Sequence, residues 1–224
     1  MKEFHLLTLI ITSACNRRCP SCTFAVADRG AQHWGVEHFM QLAPLVGHVK
    51  RLCVSGGEPL LHPHLNAVVG AIAAVYSRDE LLLATNGDLL HRHPGIVPFF
   101  DAIRVPVLGE HTYPGCPSNA QALALARTMC AGRTRLAEQP TVHWTRPGLA
   151  SRDCANAYTT SICWDGVVYP CCMPIGQGVR LVPGVDWRAE VCKLPVPCDR
   201  CNLASAADVA RAQRLRLGDG VAGA

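Results

Sequence analysis

Apolar positions follow two alternating rhythms along the first two thirds of the chain. Short runs dense in Leu, Ile and Val predict strands at 4–12, 51–54, 81–84, 102–108 and 140–144. Between them the apolar residues fall every three or four positions. Leu65, Val68, Val69, Ile72 and Val75 predict a helix over 64–76, and Phe39, Leu42, Leu45 and Val46 predict one over 36–46. Ser118-Asn119-Ala120-Gln121 has the form of a capping box opening a helix that runs to Gly132. Strands alternating with helices predict an α/β fold with a parallel sheet. A full eight-unit barrel takes about 250 residues, or roughly 30 per unit. Residues 1–147 therefore hold about five units, a partial and open (β/α) barrel of five to six units at most.

The rhythm fades from about Arg146, where prolines, glycines and cysteines become dense. Asp165-Gly166 is a strong hairpin dipeptide and predicts a small β-hairpin and loop domain over 148–202. Residues 203–224 form the last unit, with a helix at 204–217 carrying Arg211, Arg214 and Arg216 on a solvated or docking face. The Gly-rich end is expected to fray.

Composition narrows the class. Of 224 residues 49% are hydrophobic and 17% charged, enough to bury a core. The net charge of +4 comes without a Lys/Arg run, so no nucleic-acid surface is expected. No stretch is long and apolar enough to span a bilayer. Lys2, a short apolar run and Cys15 loosely imitate a lipoprotein signal, but Glu3 and His5 interrupt its start. Thirteen cysteines are many for this length. Their close spacings point to metal and a reducing, cytoplasmic compartment rather than to disulfides.

The chemistry gathers in three short motifs. Cys15, Cys19 and Cys22 have Cys-x3-Cys-x2-Cys spacing just after the first strand. Three thiolates can hold three irons of a 4Fe–4S cube and leave the fourth iron open. Gly56-Gly57-Glu58-Pro59 ends the second strand, and Thr85-Asn86-Gly87 ends the third. All three fall at the C-terminal ends of strands, the face that carries chemistry in such barrels.

In order and spacing these motifs resemble the radical S-adenosylmethionine superfamily. The resemblance implies two cofactors at this face, a 4Fe–4S cluster on Cys15, Cys19 and Cys22 and S-adenosyl-L-methionine chelated to its open iron. Gly56, Gly57, Glu58 and Pro59 would approach the methionine amino group. Glycines admit close backbone approach, and carbonyls and a carboxylate accept from an ammonium. Thr85, Asn86 and Arg104 are further cofactor-binding candidates, Arg104 because an inward guanidinium needs an anionic partner. The implied reaction is reductive cleavage to a 5′-deoxyadenosyl radical, which takes hydrogen from an unactivated C–H bond. One departure concerns the residue before the third cysteine, usually aromatic and here Ser21, with Phe24 as a possible substitute against the adenine.

A second cysteine group follows. Cys154 and Cys171 fit Cys-x11-Gly-x4-Cys, and Cys198-Asp-Arg-Cys201 comes later. This resembles the twitch domain, a shortened SPASM domain, and implies an auxiliary 4Fe–4S cluster on Cys154, Cys171, Cys198 and Cys201. Spacing alone also admits a structural zinc site, and Cys172, Cys163 or Cys192 can enter the ligand set. Cys53 and Cys130 read as packed thiols. No acid or base is singled out. His62, His64, His91 and His93 read as loop histidines, with His62 the one able to face a pocket.

The resemblance implies an oxidoreductase on a small polar natural-product intermediate, with the auxiliary cluster taking an electron. A peptide-modifying maturase is the alternative, and a non-catalytic metal-binding protein the reading from another class. A flavodoxin- or ferredoxin-type electron donor is implied. The chain starts directly at the first strand, so a peptide-leader module is expected on a separate protein.

Overall fold

The computed structural model describes residues 6–17, 31–107, 120–130, 134–140, 159–163, 165–170 and 177–194. Five strands, β1 (Leu6–Ile10), β2 (Leu52–Ser55), β3 (Leu81–Ala84), β4 (Ala102–Val107) and β5 (Arg135–Pro140), lie side by side in parallel. On the other side of β1 stands β6 (Thr159–Ile162), also parallel. The antiparallel β7 (Val167–Tyr169) and β8 (Val179–Arg180) follow. The sheet order is β5-β4-β3-β2-β1-β6-β7-β8. Six parallel strands in an open sheet make the expected partial barrel. Strands β6, β7 and β8 extend that same sheet through the β1–β6 pairing.

Strand alternation divides the sheet into two faces. Leu7, Leu9, Leu52, Val54, Leu81, Leu83, Ile103 and Val105 join the main core beneath α1 (Val36–Val46), α2 (Leu65–Val75) and α3 (Ala120–Met129). Thr8, Cys53, Leu82 and Ala102 are register partners in one row on the inner face. Being covered on both faces, β1 to β3 read as continuous apolar runs rather than as alternation.

The α1 and α2 bounds match the periodicity. The described part of the third helix starts at Ala120, and the expected cap at Ser118 lies outside the described residues. Between β3 and β4 the chain makes 3-10 turns at Leu90–Arg92 and Pro94–Phe99. Pro94 and Pro98 deny an α-helix its backbone donors there. The fifth strand is displaced from its expected position, running over Arg135–Pro140 instead of 140–144. Only Pro140 of the expected strand falls among the described residues.

Gly166 turns the β6–β7 hairpin at φ 74, a left-handed conformation that glycine adopts without a Cβ clash. After β8 comes a helix the periodicity did not reveal, α4 (Trp187–Lys193). Asp186 caps it by accepting from the Arg188 and Ala189 amides. Trp187 Nε1 donates to the Leu45 carbonyl at 2.9 Å, and Arg188 donates to the Val46 and His48 carbonyls at 2.7 and 2.8 Å. These bonds occupy carbonyls that the C-terminus of α1 leaves without helical partners. They tie the end of the described chain to the first helix.

Candidate functional site

The loop after β1 and the turn after β2 are built against each other. Gly57 N–H donates to the Thr12 carbonyl at 2.8 Å and Glu58 N–H to the Ala14 carbonyl at 2.7 Å. A Cβ on Gly56 would lie 2.5 Å from the Thr12 carbonyl oxygen, and one on Gly57 would lie 2.4 Å from that of Ala14. Both are fixed backbone atoms. The glycine pair is therefore required by the chain leading to Cys15, whatever else approaches it. From the other side, Ser13 N–H donates to Gln32 O, Gln32 N–H to Ser13 Oγ and Trp34 N–H to Ile11 O. Thr12 Oγ1 lies 2.8 Å from His33 Nδ1. An antiparallel bridge at Thr12 and His33 thus closes the neck of the loop that begins at Cys15.

Glu58 is fully buried, and three donors converge on its carboxylate. Leu60 N–H and Thr85 Oγ1–H reach Oε1 at 3.0 and 2.7 Å, and Asn86 N–H reaches Oε2 at 2.7 Å. Burial pushes this carboxyl up from the usual range, and the Asp88 charge adds to the push. The bonds from Asn86, Thr85 and Leu60 oppose it. The sequence reading aimed this carboxylate at an ammonium. In the structure it also braces the loop after β3.

The third motif joins the first above that brace. Asn86 Nδ2 donates to Asn16 Oδ1 at 2.8 Å, and Asn16 Nδ2 to Asp88 Oδ2 at 3.0 Å. Arg17 grips Asp88 with two bonds, Nε to Oδ2 at 2.8 Å and Nη2 to Oδ1 at 2.5 Å. The Arg17 backbone N–H lies 3.4 Å from Cys15 Sγ. Cys15, Gly56, Gly57, Glu58, Pro59, Thr85 and Asn86 are thus brought together at the strand ends.

Against known proteins, a GTP 3′,8-cyclase of Chlorobaculum tepidum is 36% identical over 86 residues, covering 38% of this chain and 26% of the cyclase. A GTP 3′,8-cyclase of Xanthomonas campestris pv. campestris is 38% identical over 96 residues, covering 38% of this chain and 28% of that protein. The matched region spans little more than a quarter of the length of these relatives. Among solved structures, BtrN in complex with AdoMet and 2-DOIA has the same fold, with a TM-score of 0.60 at 16% identity over 97% of this chain and 89% of that one. No protein-family model matches the sequence. Together with the motifs, these likenesses support a member of the radical S-adenosylmethionine superfamily.

The remaining candidates divide by position. Cys19, Cys22, Cys154, Cys171, Cys198 and Cys201 lie outside the described residues. Arg104 stands in β4 opposite Ala84, alternating with the core residues Ile103 and Val105, and so faces the inner side. Its charge acts on Cys53. Burial drives that thiol up to about 11 and the guanidinium pulls it back, so it stays protonated and packed at neutral pH. Cys130 is likewise buried and raised by desolvation.

His62 is neither a surface residue nor a pocket base. It is buried, with Nε2 2.7 Å from the Trp34 carbonyl and Nδ1 3.0 Å from the His64 backbone N–H. The carbonyl requires a proton on Nε2 and the N–H requires a lone pair on Nδ1, which is the neutral imidazole. Burial also lowers its pKa, reinforced by His33 and His64 and opposed by the bond to Trp34. His33, Asn16, Arg17 and Asp88 are the site residues that sequence reasoning missed. Isolated polar side chains in loops carry no periodic signal, and the position of Asn16 and Arg17 inside the cysteine motif was the available clue.

Proposed function

We propose that this chain is a radical S-adenosylmethionine oxidoreductase acting on a small polar molecule. The observation that carries the reading is the convergence of the three motif loops at the C-terminal ends of β1, β2 and β3, knitted by backbone bonds from Gly57 and Glu58 to residues 12–14. Cys15, Cys19 and Cys22 would hold a 4Fe–4S cluster, and Gly56, Gly57, Glu58, Pro59, Thr85, Asn86 and Arg104 would line the place of S-adenosylmethionine. The described donor set fits. Cys15 Sγ is partly exposed beyond β1 and has an N–H donor 3.4 Å away, the kind of contact that tunes cluster sulfurs.

When bound, an open-iron cluster and S-adenosylmethionine supply a 5′-deoxyadenosyl radical, and a saturated second cluster supplies a one-electron acceptor. The chain's own contribution is geometry. The neck bonds of Thr12, Ser13 and Trp34 fix where the cysteine loop leaves the sheet. Glu58 sets the height of Thr85 and Asn86 above it, and Arg104 offers the inner face a cation for an anionic group. Residues Cys154, Cys171, Cys198 and Cys201 would hold the second cluster. The hairpin of β6 and β7 supports this, because it returns the chain to Pro170 immediately before Cys171. A net two-electron oxidation of the substrate follows from one hydrogen abstraction, one proton loss and one electron passed on.

The fold shared with BtrN, whose solved complex contains 2-DOIA, supports a small-molecule substrate. A flavodoxin- or ferredoxin-type donor and a reducing, cytoplasmic setting complete the proposal. Among the described residues no helix is long and apolar enough to cross a membrane.

Iron and sulfide content after anaerobic reconstitution tests the two-cluster reading. The wild type is expected to hold about eight irons, and a Cys15/Cys19/Cys22→Ala variant about four. About four falling to none would remove the auxiliary cluster and leave zinc or structure for the second cysteine group.

A further inference from the structure

We infer that the Arg17–Asp88 ion pair is a latch that seats residues 14–17 on the loop after β3 and balances charge beside Cys15. The inference rests on the cluster reading above. The Arg17 side chain is only 6% exposed and that of Asp88 33%. Most other pairs among the described residues are more open, such as Lys193–Glu190, where the side chains are 68% and 45% exposed. Arg17 makes a planar two-bond fork to Asp88, a geometry lysine cannot reproduce.

The fork is one of two rungs. The other runs from Asn86 through Asn16 back to Asp88, and Asp88 N–H donates to Asn86 Oδ1 at 3.0 Å. Asn86 in turn hangs on Glu58. The chain from Ala14 to Arg17 is therefore held at three residues, by Glu58 N–H at Ala14, by Asn86 and Asp88 at Asn16 and by Asp88 at Arg17, with Cys15 among them. Charge adds a second role. Paired, Arg17 and Asp88 sum to zero next to a cluster ligand. Removing either leaves a net charge there, and nearby charge and hydrogen bonds set cluster potentials. Arg17 and Asp88 are positioning residues, because neither needs to touch the reacting atoms.

The test compares Arg17→Lys, Arg17→Gln and Asp88→Asn in the full chain. In metal-free protein, amide exchange over residues 14–17 should rise about tenfold in Arg17→Gln and Asp88→Asn, with β2 amides unchanged. In reconstituted protein, a ferrous chelator should remove iron about tenfold faster from all three variants, because each loses the fork. The midpoint potential of the S-adenosylmethionine-responsive cluster should fall in Arg17→Gln, rise in Asp88→Asn and stay near wild type in Arg17→Lys. Opposite signs are the signature that mere loosening would not give. Wild-type exchange, chelation rates and potentials in all three would overturn the latch. A wild type that binds no iron would instead overturn the cluster reading, while the exchange data would still judge the latch.

Discussion

Gly57→Ala is expected to destabilise the metal-free fold by about 3 kcal/mol and to abolish iron retention at the N-terminal cysteines. Its Cβ would sit 2.4 Å from the Ala14 carbonyl oxygen, 2.8 Å from the Ala14 carbonyl carbon and 2.8 Å from the Ser13 carbonyl oxygen. None of these is a side-chain tip that can rotate away. Either residues 12–14 lift off the turn or the turn withdraws, and in both cases the bonds from Gly57 N–H and Glu58 N–H are lost. Cys15, the proposed first cluster ligand, would then leave its place relative to the other motifs. Gly70→Ala is the matched control, since nothing lies within 4 Å of a Cβ there and the residue is inside α2. It should stabilise by roughly 0.5–1 kcal/mol. Urea unfolding and iron counts on the two variants check the pair, and equal behaviour would contradict the packing argument.

Glu58→Ala is expected to cost about 3–5 kcal/mol, because it strands three buried donors and leaves a cavity. Leu60 N–H, Thr85 Oγ1–H and Asn86 N–H all lose their acceptor together. Glu58→Gln keeps the shape and should cost about 1 kcal/mol. The two variants also differ from wild type in pH dependence. Burial raises the Glu58 carboxyl in the fold, so the native state binds its proton more tightly than the unfolded chain. Stability from this group is then fully present below the ordinary carboxylate range and is lost as pH rises through the raised value. Urea midpoints measured across that window should show the loss in wild type and its absence in Glu58→Gln. A Glu58→Ala variant as stable as wild type would mean the carboxylate does not brace the β3 loop.

Much of the scaffold was legible because burial imposes a period. The faces of α1 and α2 repeat at helical spacing and β1 to β4 are short runs dense in apolar residues, so their places followed from apolar positions alone. Strand β5 escaped because Arg135-Leu-Ala-Glu-Gln reads as helix-forming and polar, with an exposed Arg135 at its start. Helix α4 escaped because seven residues show only one buried pair, Trp187 and Val191. The motif loops were visible as motifs, but their partners were not. Beyond the cofactor approach that the resemblance implies, Gly56 and Gly57 make room for the Thr12–Ala14 backbone. Glu58 likewise holds Thr85 and Asn86. Which side chains an irregular loop brings into contact is decided by its closure in space, and no linear spacing records that for His33, Arg17 or Asp88.

The most direct test of the central claim is the amount of 5′-deoxyadenosine formed from S-adenosylmethionine by the reconstituted, reduced protein. The account predicts formation by wild type and none above background by Cys15→Ala. Wild-type protein with a full complement of iron and sulfide that forms no more 5′-deoxyadenosine than Cys15→Ala would contradict it.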